Sequence, residues 1–211
     1  MKKAMNCFPS QSTEERIKEA ARQVFLEKGF DGATSRDIAE AAGINIALTN
    51  YYFRSKEKLF VTIFEEITEF FFTGMSAILN KPISLREKIA ELIEHDFRML
   101  RENPRLINFI LNEVHRNPER MGKMIGLQKV LHHSMLDEQV QREVRQGTIR
   151  PISSMHLMTM MVSNIHFLFV SKPMTTQIWN MTEDEFTKFA DAHKNLVIDM
   201  VTNYLFESEK A

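Results

Sequence analysis

Apolar residues recur every three to four positions through most of the chain, which is the spacing of α-helices that bury one face. Ser12 and Glu15 have capping-box spacing and predict where a first helix begins, and Gly29 predicts where it ends. The apolar positions of this helix share one face and are Ile17, Ala20, Ala21, Val24 and Phe25.

Two short helices are predicted next. Thr34 caps the first of them, and Gly43 ends it after about two turns. The other covers residues 45–52, and Ser55 then caps a longer helix. Two short helices joined by a glycine turn and packed on a longer first helix are typical of a helix-turn-helix, which we place at about residues 34–53.

Prolines and glycines divide the rest of the chain into longer helices, because the residue before a proline disfavours the helical conformation. These helices are predicted over residues 84–101, 104–116, 118–146, 153–171 and 182–207. No alternating apolar run is bounded by hairpin turns, so strands are not expected. We therefore predict an all-α protein of about nine helices, with a three-helix domain at residues 12–56 and a larger helical domain at residues 57–211.

Charge and cysteine content narrow the classes of function. The net charge of −1 excludes a general affinity for nucleic acid, so any anion binding must depend on a few locally placed groups. The single cysteine, Cys7, excludes an internal disulfide and favours a reducing compartment. The most apolar stretch, residues 155–170, is too short to cross a bilayer. We expect a cytoplasmic protein that makes no contact with a membrane.

The third predicted helix has the side chains of a helix that reads DNA. Asn pairs with adenine edges, and Ala or the methyl group of Thr contacts the thymine methyl group. Helix starts and tyrosine hydroxyls favour phosphate contacts. The candidate DNA-binding residues are Thr34, Arg36, Asn45, Ile46, Ala47, Thr49, Asn50, Tyr51, Tyr52 and Lys56. Leu48 and Phe53 are expected to face inward. Small all-helical domains also contain such corners without binding DNA, so the geometry alone leaves both interpretations open.

The segment "TSRDIAEAAGINIALTNYYFRSKEKLF" resembles the DNA-binding segment of TetR-family transcriptional regulators. The positions that match the family pattern are Thr34, Arg36, Asp37, Ile38, Ala39, Ala42, Gly43, Ile44, Ala47, Tyr52, Phe53, Ser55, Lys56, Glu57 and Leu59. The resemblance covers residues 12–60. It implies a homodimeric regulator, most often a repressor, that binds double-stranded DNA at an inverted-repeat operator and is released by a small-molecule effector.

Three residues depart from the family pattern. Asn45 stands where the family usually has Ser, and Thr49 replaces an aliphatic residue. Asn50 takes the place of a tyrosine, which removes an aromatic ring and adds an amide that can read a base. The operator sequence therefore cannot be taken from a relative.

Most of the fourteen methionines follow Pro82, in the larger domain. Met is flexible and polarizable, so clusters of it line cavities for varied apolar molecules, although each single Met is as well explained by an ordinary core. We predict a pocket for an apolar or amphipathic effector, with polar contacts from His132, His133 or His166. Its candidate lining residues are Phe97, Leu100, Phe109, Ile110, Met124, Met135, Met158, Met161, Ile165 and Phe169.

The last predicted helix carries an apolar stripe along one face. In the family, the last two long helices pair with their copies in a four-helix bundle, and the spacing here permits the same arrangement. The candidate residues of the dimer interface are Phe186, Phe189, His193, Val197, Met200 and Tyr204.

Enzyme functions find no support in the sequence. A di-metal carboxylate bundle needs Glu three residues before His, and none of the seven histidines has it. Phosphate-binding loops, zinc-protease motifs and nucleophile elbows are also missing. We expect no catalytic residue, no metal and no cofactor. Two alternatives to a ligand-controlled repressor stay open: a DNA-binding protein controlled by a protein partner, and a helical scaffold that does not bind DNA.

Overall fold

The computed structural model describes residues 12–119 and 135–206, and within these ranges the chain forms ten α-helices and no strand. The helices are α1 (Thr13–Gly32), α2 (Ser35–Ala41), α3 (Ile46–Phe53), α4 (Lys56–Leu79), α5 (Leu85–Glu102), α6 (Leu106–Arg116), α7 (Met135–Gln146), α8 (Ser154–Val170), α9 (Lys172–Ile178) and α10 (Glu183–Phe206). The prediction of an all-helical protein is confirmed.

The chain divides into two compact units between Ile67 and Thr68. This division lies inside α4, so the one helix belongs to both units. The boundary predicted from the sequence, at residues 56 and 57, lies at the beginning of the same helix and therefore before this division.

The N-terminal unit has an aromatic core between α1 and α4. The rings of Phe25 and Phe60 meet edge to face with centroids 5.0 Å apart, and Phe64 stacks on Phe60 at 5.8 Å. All three side chains are buried, and such pairs add to the free energy of burial by about 0.5–1.5 kcal/mol each. At the edge of this core, Lys18 and Arg22 form ion pairs with Glu66.

The C-terminal unit is arranged around α8, which packs against α5, α6, α7, α9 and α10. Between α5 and α8, Phe97 and Phe169 lie with ring centroids 5.6 Å apart. Next to them, Asp96 is buried and pairs with Nε2 of His166 at 3.0 Å. The helix that contains the most apolar stretch of the sequence, residues 155–170, is therefore covered on several sides by helices of its own unit.

A close approach between α4 and α5 occurs at Gly74. A Cβ atom at this position would lie 2.4 Å from Cε1 of the His95 ring, which is too short for any real contact. The same ring packs on Phe71, with centroids 5.9 Å apart. Only glycine lets this buried imidazole lie against the backbone of α4.

The predicted break at Lys172 and Pro173 contains a helix instead. Pro173 lies in the first turn of α9, where its missing N–H group has no intrahelical acceptor to lose and its fixed φ suits a helix. The residue therefore starts a short helix after α8 ends. The helix predicted over residues 118–146 is described only from Met135 onward, as α7.

The described ranges contain neither a helix suited to span a membrane nor a cluster of side chains suited to bind a metal. No helix there combines the length and the apolar character needed to cross a membrane. No group of three or more His, Cys, Asp or Glu side chains in the same ranges is arranged to hold a metal ion.

Candidate nucleic-acid interface

The start of α2 is held by a complete capping box. The backbone N–H of Thr34 donates to Asp37 at 2.8 Å, and the backbone N–H of Asp37 donates to the Thr34 hydroxyl at 3.1 Å. Lys28 also donates to the Asp37 carboxylate, at 2.8 Å. The hydrogen bond from Lys28, followed by those from Thr34, lowers the pKa of Asp37 to about 2. Thr34 is thus exposed, but its hydroxyl group is already hydrogen-bonded within the capping box. Arg36 is exposed and forms no ion pair with a described residue.

The turn between α2 and α3 depends on Gly43. Its φ of 63° lies in the left-handed region, which glycine adopts without strain. The following N–H group, of Ile44, donates back to Ala39 at 3.0 Å and closes the end of α2. Arg16 of α1 donates to the carbonyl oxygen of Ala42 at 2.7 Å. These contacts fix the angle at which α3 leaves α2.

Most of the side chains of α3 point to solvent. Asn45 is exposed and caps the helix through its Oδ1, which accepts a 2.8 Å hydrogen bond from the Ala47 N–H. The exposed residues of this segment are Asn45, Ile46, Ala47, Leu48, Asn50, Tyr51 and Tyr52. A helix of eight residues with this many uncovered apolar and amide groups fits the major groove, where apolar contacts and amide pairs read bases.

The predicted orientations of Leu48 and Thr49 are wrong. Thr49 is 3% exposed and Leu48 is 38% exposed, so the polar residue faces the core and the apolar one faces solvent. Thr49 lies beside Ile38 and Phe53, around a gap with no room for a water molecule. The Gly43 turn and the Asn45 cap fix the rotation of α3, and this backbone constraint outweighs the preference of Leu for burial. Thr49 cannot contact a base in this orientation.

Lys56 does not present its charge to solvent. Its ammonium group donates to the carbonyl oxygens of Phe30 and Ala33, both at 2.9 Å, and lies 4.2 Å from the centroid of the Phe30 ring. These acceptors belong to the end of α1 and the residue after it. Lys56 therefore has a structural role in this structure, because the carbonyl groups at a helix end attract a cation, and its phosphate contact stays a prediction.

Two exposed cations near α3 are missing from the candidates chosen from the sequence. Arg54 follows α3 with a φ of 36°, and Lys58 lies in the first turn of α4. With Arg36 they give three solvent-exposed positive groups in the N-terminal unit close to α3 in sequence. The basic run "RSKEK" contained the signal, but sequence spacing alone does not show which of its cations are already bonded to the protein.

The two tyrosines after Asn50 form an aromatic pair at the exposed face. Tyr51 is 79% exposed and Tyr52 is 40% exposed, and their rings meet edge to face with centroids 5.5 Å apart. Phe53 is half-buried, in partial agreement with its predicted inward direction. Both hydroxyl groups are available to donate to phosphate oxygens.

The candidate effector residues lie mostly in the core of the C-terminal unit. Those buried there are Phe97, Leu100, Phe109, Met158, Met161, Ile165 and Phe169. Ile110 is half-buried, and Met135 is 43% exposed at the start of α7, so it is not part of this core. Met124, His132 and His133 lie outside the described residues. His166 is paired with Asp96, which places one polar pair against the apolar set.

The candidate interface residues of α10 divide between two faces. Phe186 and Val197 are buried inside their own unit, so their predicted place at a dimer surface is wrong. They belong to the stripe that faces α5 and α8, which the sequence merged with the outer stripe. The outer stripe of α10 contains the exposed residues Phe189, Leu196, Met200 and Tyr204, together with the half-buried His193. On α8, Met155 and Phe167 are also exposed and are counted with this stripe.

A capped α2, a glycine turn and an uncovered α3 define a helix-turn-helix protein, and comparison with known families gives the same class. Residues 17–63 match the model of bacterial regulatory proteins of the tetR family. Residues 86–201 match the model of the tetracyclin repressor-like C-terminal domain. The chain therefore belongs to the TetR family and is a DNA-binding transcriptional regulator. This family is not one of enzymes, in agreement with the expectation of no catalytic residue.

Individual relatives are similar at a moderate level. The probable HTH-type transcriptional regulator YttP of Bacillus subtilis is 30% identical over 49% of this chain and 51% of its own length. The chain thus spans about half of that relative. RutR of Escherichia coli K12 is 28% identical over 68% of both chains. The crystal structure of FadR from Bacillus subtilis, described as a complex with stearoyl-CoA, has 20% identity and a TM-score of 0.62, and the similarity covers 87% of this chain and 96% of that one.

Proposed function

We propose that the protein is a repressor that binds an inverted-repeat operator as a homodimer and is released by an amphipathic small molecule. The observation that carries the DNA-binding part is the uncovered α3, whose Asn50 amide and apolar side chains have no covering partner in the described N-terminal unit. Arg36, Arg54 and Lys58 supply the phosphate contacts in this proposal. Asn50 supplies base recognition.

The dimer is supported by the outer stripe of α8 and α10. Phe167 is 64% exposed and Leu196 is 62% exposed, which is unusual for adjacent long helices of a monomer. Pairing with a second copy would cover both residues in a four-helix bundle. A dimer would also bring two copies of α3 to two half-sites about 34–36 Å apart, one turn of DNA.

The effector is an amphipathic molecule with a long apolar portion in this proposal. Support comes from the Met- and Phe-rich core of the C-terminal unit, with the Asp96 and His166 pair beside it. Binding sites for small molecules are mostly apolar with a few placed polar groups. Support also comes from the relative FadR, which is described as bound to stearoyl-CoA. The ligand shifts operator binding only by its differential affinity for two arrangements of the dimer.

Operator binding is tested by fluorescence anisotropy on DNA from upstream of the protein's own coding sequence, over a series of salt concentrations. Asn50→Ala should lower discrimination between operator and unrelated DNA by about 1–3 kcal/mol. Arg36→Gln should instead weaken all sequences alike and reduce the salt slope by about one unit. Equal affinity of the unaltered protein for operator and unrelated DNA would contradict the proposal.

Effector control is tested by adding acyl-CoA esters of increasing chain length to the preformed DNA complex. The expected result is release of DNA by the long-chain esters at concentrations where coenzyme A alone has no effect. Met161→Trp fills the proposed site and should reduce this response while basal DNA binding persists, because Met161 is buried in the C-terminal unit. Loss of about 1–3 kcal/mol of stability, with an unchanged response, would indicate a solid core that the larger ring overpacks. Control by a protein partner would then be favoured.

A further inference from the structure

A surface cavity of the C-terminal unit shares no lining residue with the buried set of candidate effector residues. It has a volume of about 290 Å³ and is formed by the connection between α4 and α5, the first turns of α5 and the beginning of α7. Its lining residues include Lys81, Lys88, Glu138, Gln139 and Arg142. The cavity is therefore polar and mainly cationic, unlike the apolar pocket proposed for the effector.

Lys88 is the unusual member of this set. It is 1% exposed, and its ammonium group donates to the carbonyl oxygen of Leu79 at 2.9 Å. An ammonium group has three N–H donors, and within the described residues this carbonyl oxygen is the single acceptor that Lys88 reaches. No carboxylate of residues 12–119 or 135–206 forms an ion pair with it. Buried charges are normally paired, so Lys88 lacks the counter-ion that its burial calls for.

The other charges at the cavity increase this imbalance. Arg142 is exposed on α7, lines the same cavity and forms no ion pair with a described residue. Burial, and then the positive charge of Arg142, lower the pKa of Lys88. Lys81 is already paired with Glu91, and Glu138 contributes one exposed carboxylate to the lining. Two cations without carboxylate partners therefore converge on one cavity.

The walls of the cavity are fixed by hydrogen bonds that do not use these cations. Gln139 of α7 donates to the carbonyl oxygen of Ile83 at 3.0 Å. The backbone N–H of Met135 donates to the side chain of Asn80 at 3.3 Å. Both bonds join α7 to the connection between α4 and α5. The cavity thus has a supported shape, and a ligand would not need to assemble it.

We propose that this cavity is a binding site for a small phosphate-bearing anion, held between the ammonium group of Lys88 and the guanidinium group of Arg142. A phosphate oxygen accepts the remaining N–H bonds of Lys88, and the planar Arg142 group offers a second, bidentate contact. The anion supplies the missing counter-charge. The site stands apart from the proposed effector pocket and does not depend on operator binding.

A purely structural explanation of Lys88 has a different consequence. In that explanation Lys88, near the beginning of α5, stabilises the end of α4 by donating to the carbonyl oxygen of Leu79, the last residue of α4. That role requires Lys88 but not Arg142, which lies on another helix and reaches no described carbonyl group. Arg142 therefore separates the two explanations.

The test is titration calorimetry of the full chain, without DNA, using inorganic phosphate, pyrophosphate and coenzyme A as separate probes. We expect saturable binding of pyrophosphate with one site per chain. Arg142→Gln should weaken binding about tenfold, the usual loss for one charge-assisted contact. The matched control is Arg145→Gln, because Arg145 is an exposed residue of α7 that does not line the cavity. The affinity of this variant for pyrophosphate should be unchanged. Lys88→Met keeps the length of the side chain and should abolish binding.

The probes also identify the source of the phosphate group. Binding of pyrophosphate and coenzyme A with the same sensitivity to Arg142→Gln means that a free anion is sufficient. Binding of coenzyme A alone means that the site takes the headgroup of a larger ligand. Absence of saturable binding of any probe to the unaltered protein overturns the proposal. Equal weakening by Arg142→Gln and Arg145→Gln also overturns it, because diffuse charge then explains the binding. Thermal unfolding of all three variants checks that they fold.

Discussion

Nζ of Lys56 lies 2.9 Å from the carbonyl oxygen of Ala33, which is 23 residues earlier in the chain. A second bond of the same length joins it to Phe30, so a cation that looked available for DNA holds the end of α1 instead. In the matching family motif, this lysine follows the recognition helix closely. Its position close to α3 is explained by the packing of the N-terminal unit.

Lys56→Met should therefore reduce stability more than it reduces phosphate binding. Removing a charged donor from partly buried carbonyl groups costs about 1–3 kcal/mol, which urea unfolding measures as a lower midpoint. The matched control is Lys58→Met, because Lys58 is exposed and its ammonium group reaches no acceptor among the described residues of the N-terminal unit. That variant should keep its stability but show weaker operator binding and a smaller salt slope. A stable Lys56→Met variant with uniformly weaker DNA binding would restore the phosphate role.

Thr49→Val should stabilise the protein. The Thr49 hydroxyl is buried without a hydrogen-bond partner, and the adjacent gap has no room for a water molecule. Val has nearly the same shape, so the substitution removes the cost of an unsatisfied polar group, about 1 kcal/mol, without opening a cavity. The measurement is the midpoint of urea unfolding. Thr49→Ala is the control, and it should destabilise because it removes a buried methyl group as well. A lower midpoint for Thr49→Val would mean that the hydroxyl has a favourable contact.

The fold could be predicted further from the sequence than the interface could. Capping boxes at Ser12 and Thr34 gave the helix starts, because a cap is a local interaction between residues close in sequence. The rotation of α3 could not be obtained in this way. It depends on the turn at Gly43 and on packing against α2, which reverse the directions expected for Leu48 and Thr49 from hydrophobicity alone.

The charged groups and the outer faces of the helices show the same limit of prediction from the sequence. The sequence identifies Lys56 as basic, but only the structure shows its two carbonyl acceptors from the end of α1. On α10 two apolar stripes lie next to each other, and Val197 and Leu196 differ by one position and by 61 percentage points of exposure, 1% against 62%. A prediction of the interface from residue spacing cannot separate such neighbouring stripes, because both have helical periodicity.

Gly74→Ala should destabilise the C-terminal unit, although alanine is the better helix former. The gain in helix propensity is about 1 kcal/mol, whereas overpacking against the His95 ring costs about 1–3 kcal/mol. Unfolding of Gly74→Ala, His95→Ala and the double variant measures the coupling between the two positions. In the His95→Ala background the added methyl group should become stabilising. A stabilising effect in both backgrounds would show that α4 and α5 move apart freely, and a destabilising effect in both would show that the His95 ring is not the obstacle.

Leu196→Glu should convert the proposed dimer to a monomer. Leu196 is exposed in the single chain, so the substitution leaves the core of its own unit intact but would place a charge in the apolar seam between copies. Sedimentation velocity measures the change, and operator binding should fall with it. Asn195→Glu is the matched control, because this exposed residue points away from the stripe of Leu196 and Met200. An intact dimer of Leu196→Glu would place the interface elsewhere.

The Asp37 carboxylate should make the stability of the N-terminal unit depend on pH in the acid range. Its pKa is lowered to about 2 by the hydrogen bonds from Lys28 and Thr34, against about 3.9 for an unfolded chain. A lowered pKa means that the stabilisation is fully present above about pH 4 and is lost as the pH falls towards 2, because the unfolded chain takes up the proton first. Hydrogen bonds from Ser84 and from Thr182 also lower the pKa values of Glu87 and Glu185, so the unaltered protein alone cannot assign the effect to Asp37. The measurement is therefore the difference in unfolding midpoint between the unaltered protein and Asp37→Asn at each pH. This difference should be largest near neutral pH and shrink steadily between about pH 4 and pH 2. A difference that stays constant over that interval would mean that the capping geometry, and not the charge of Asp37, stabilises the start of α2.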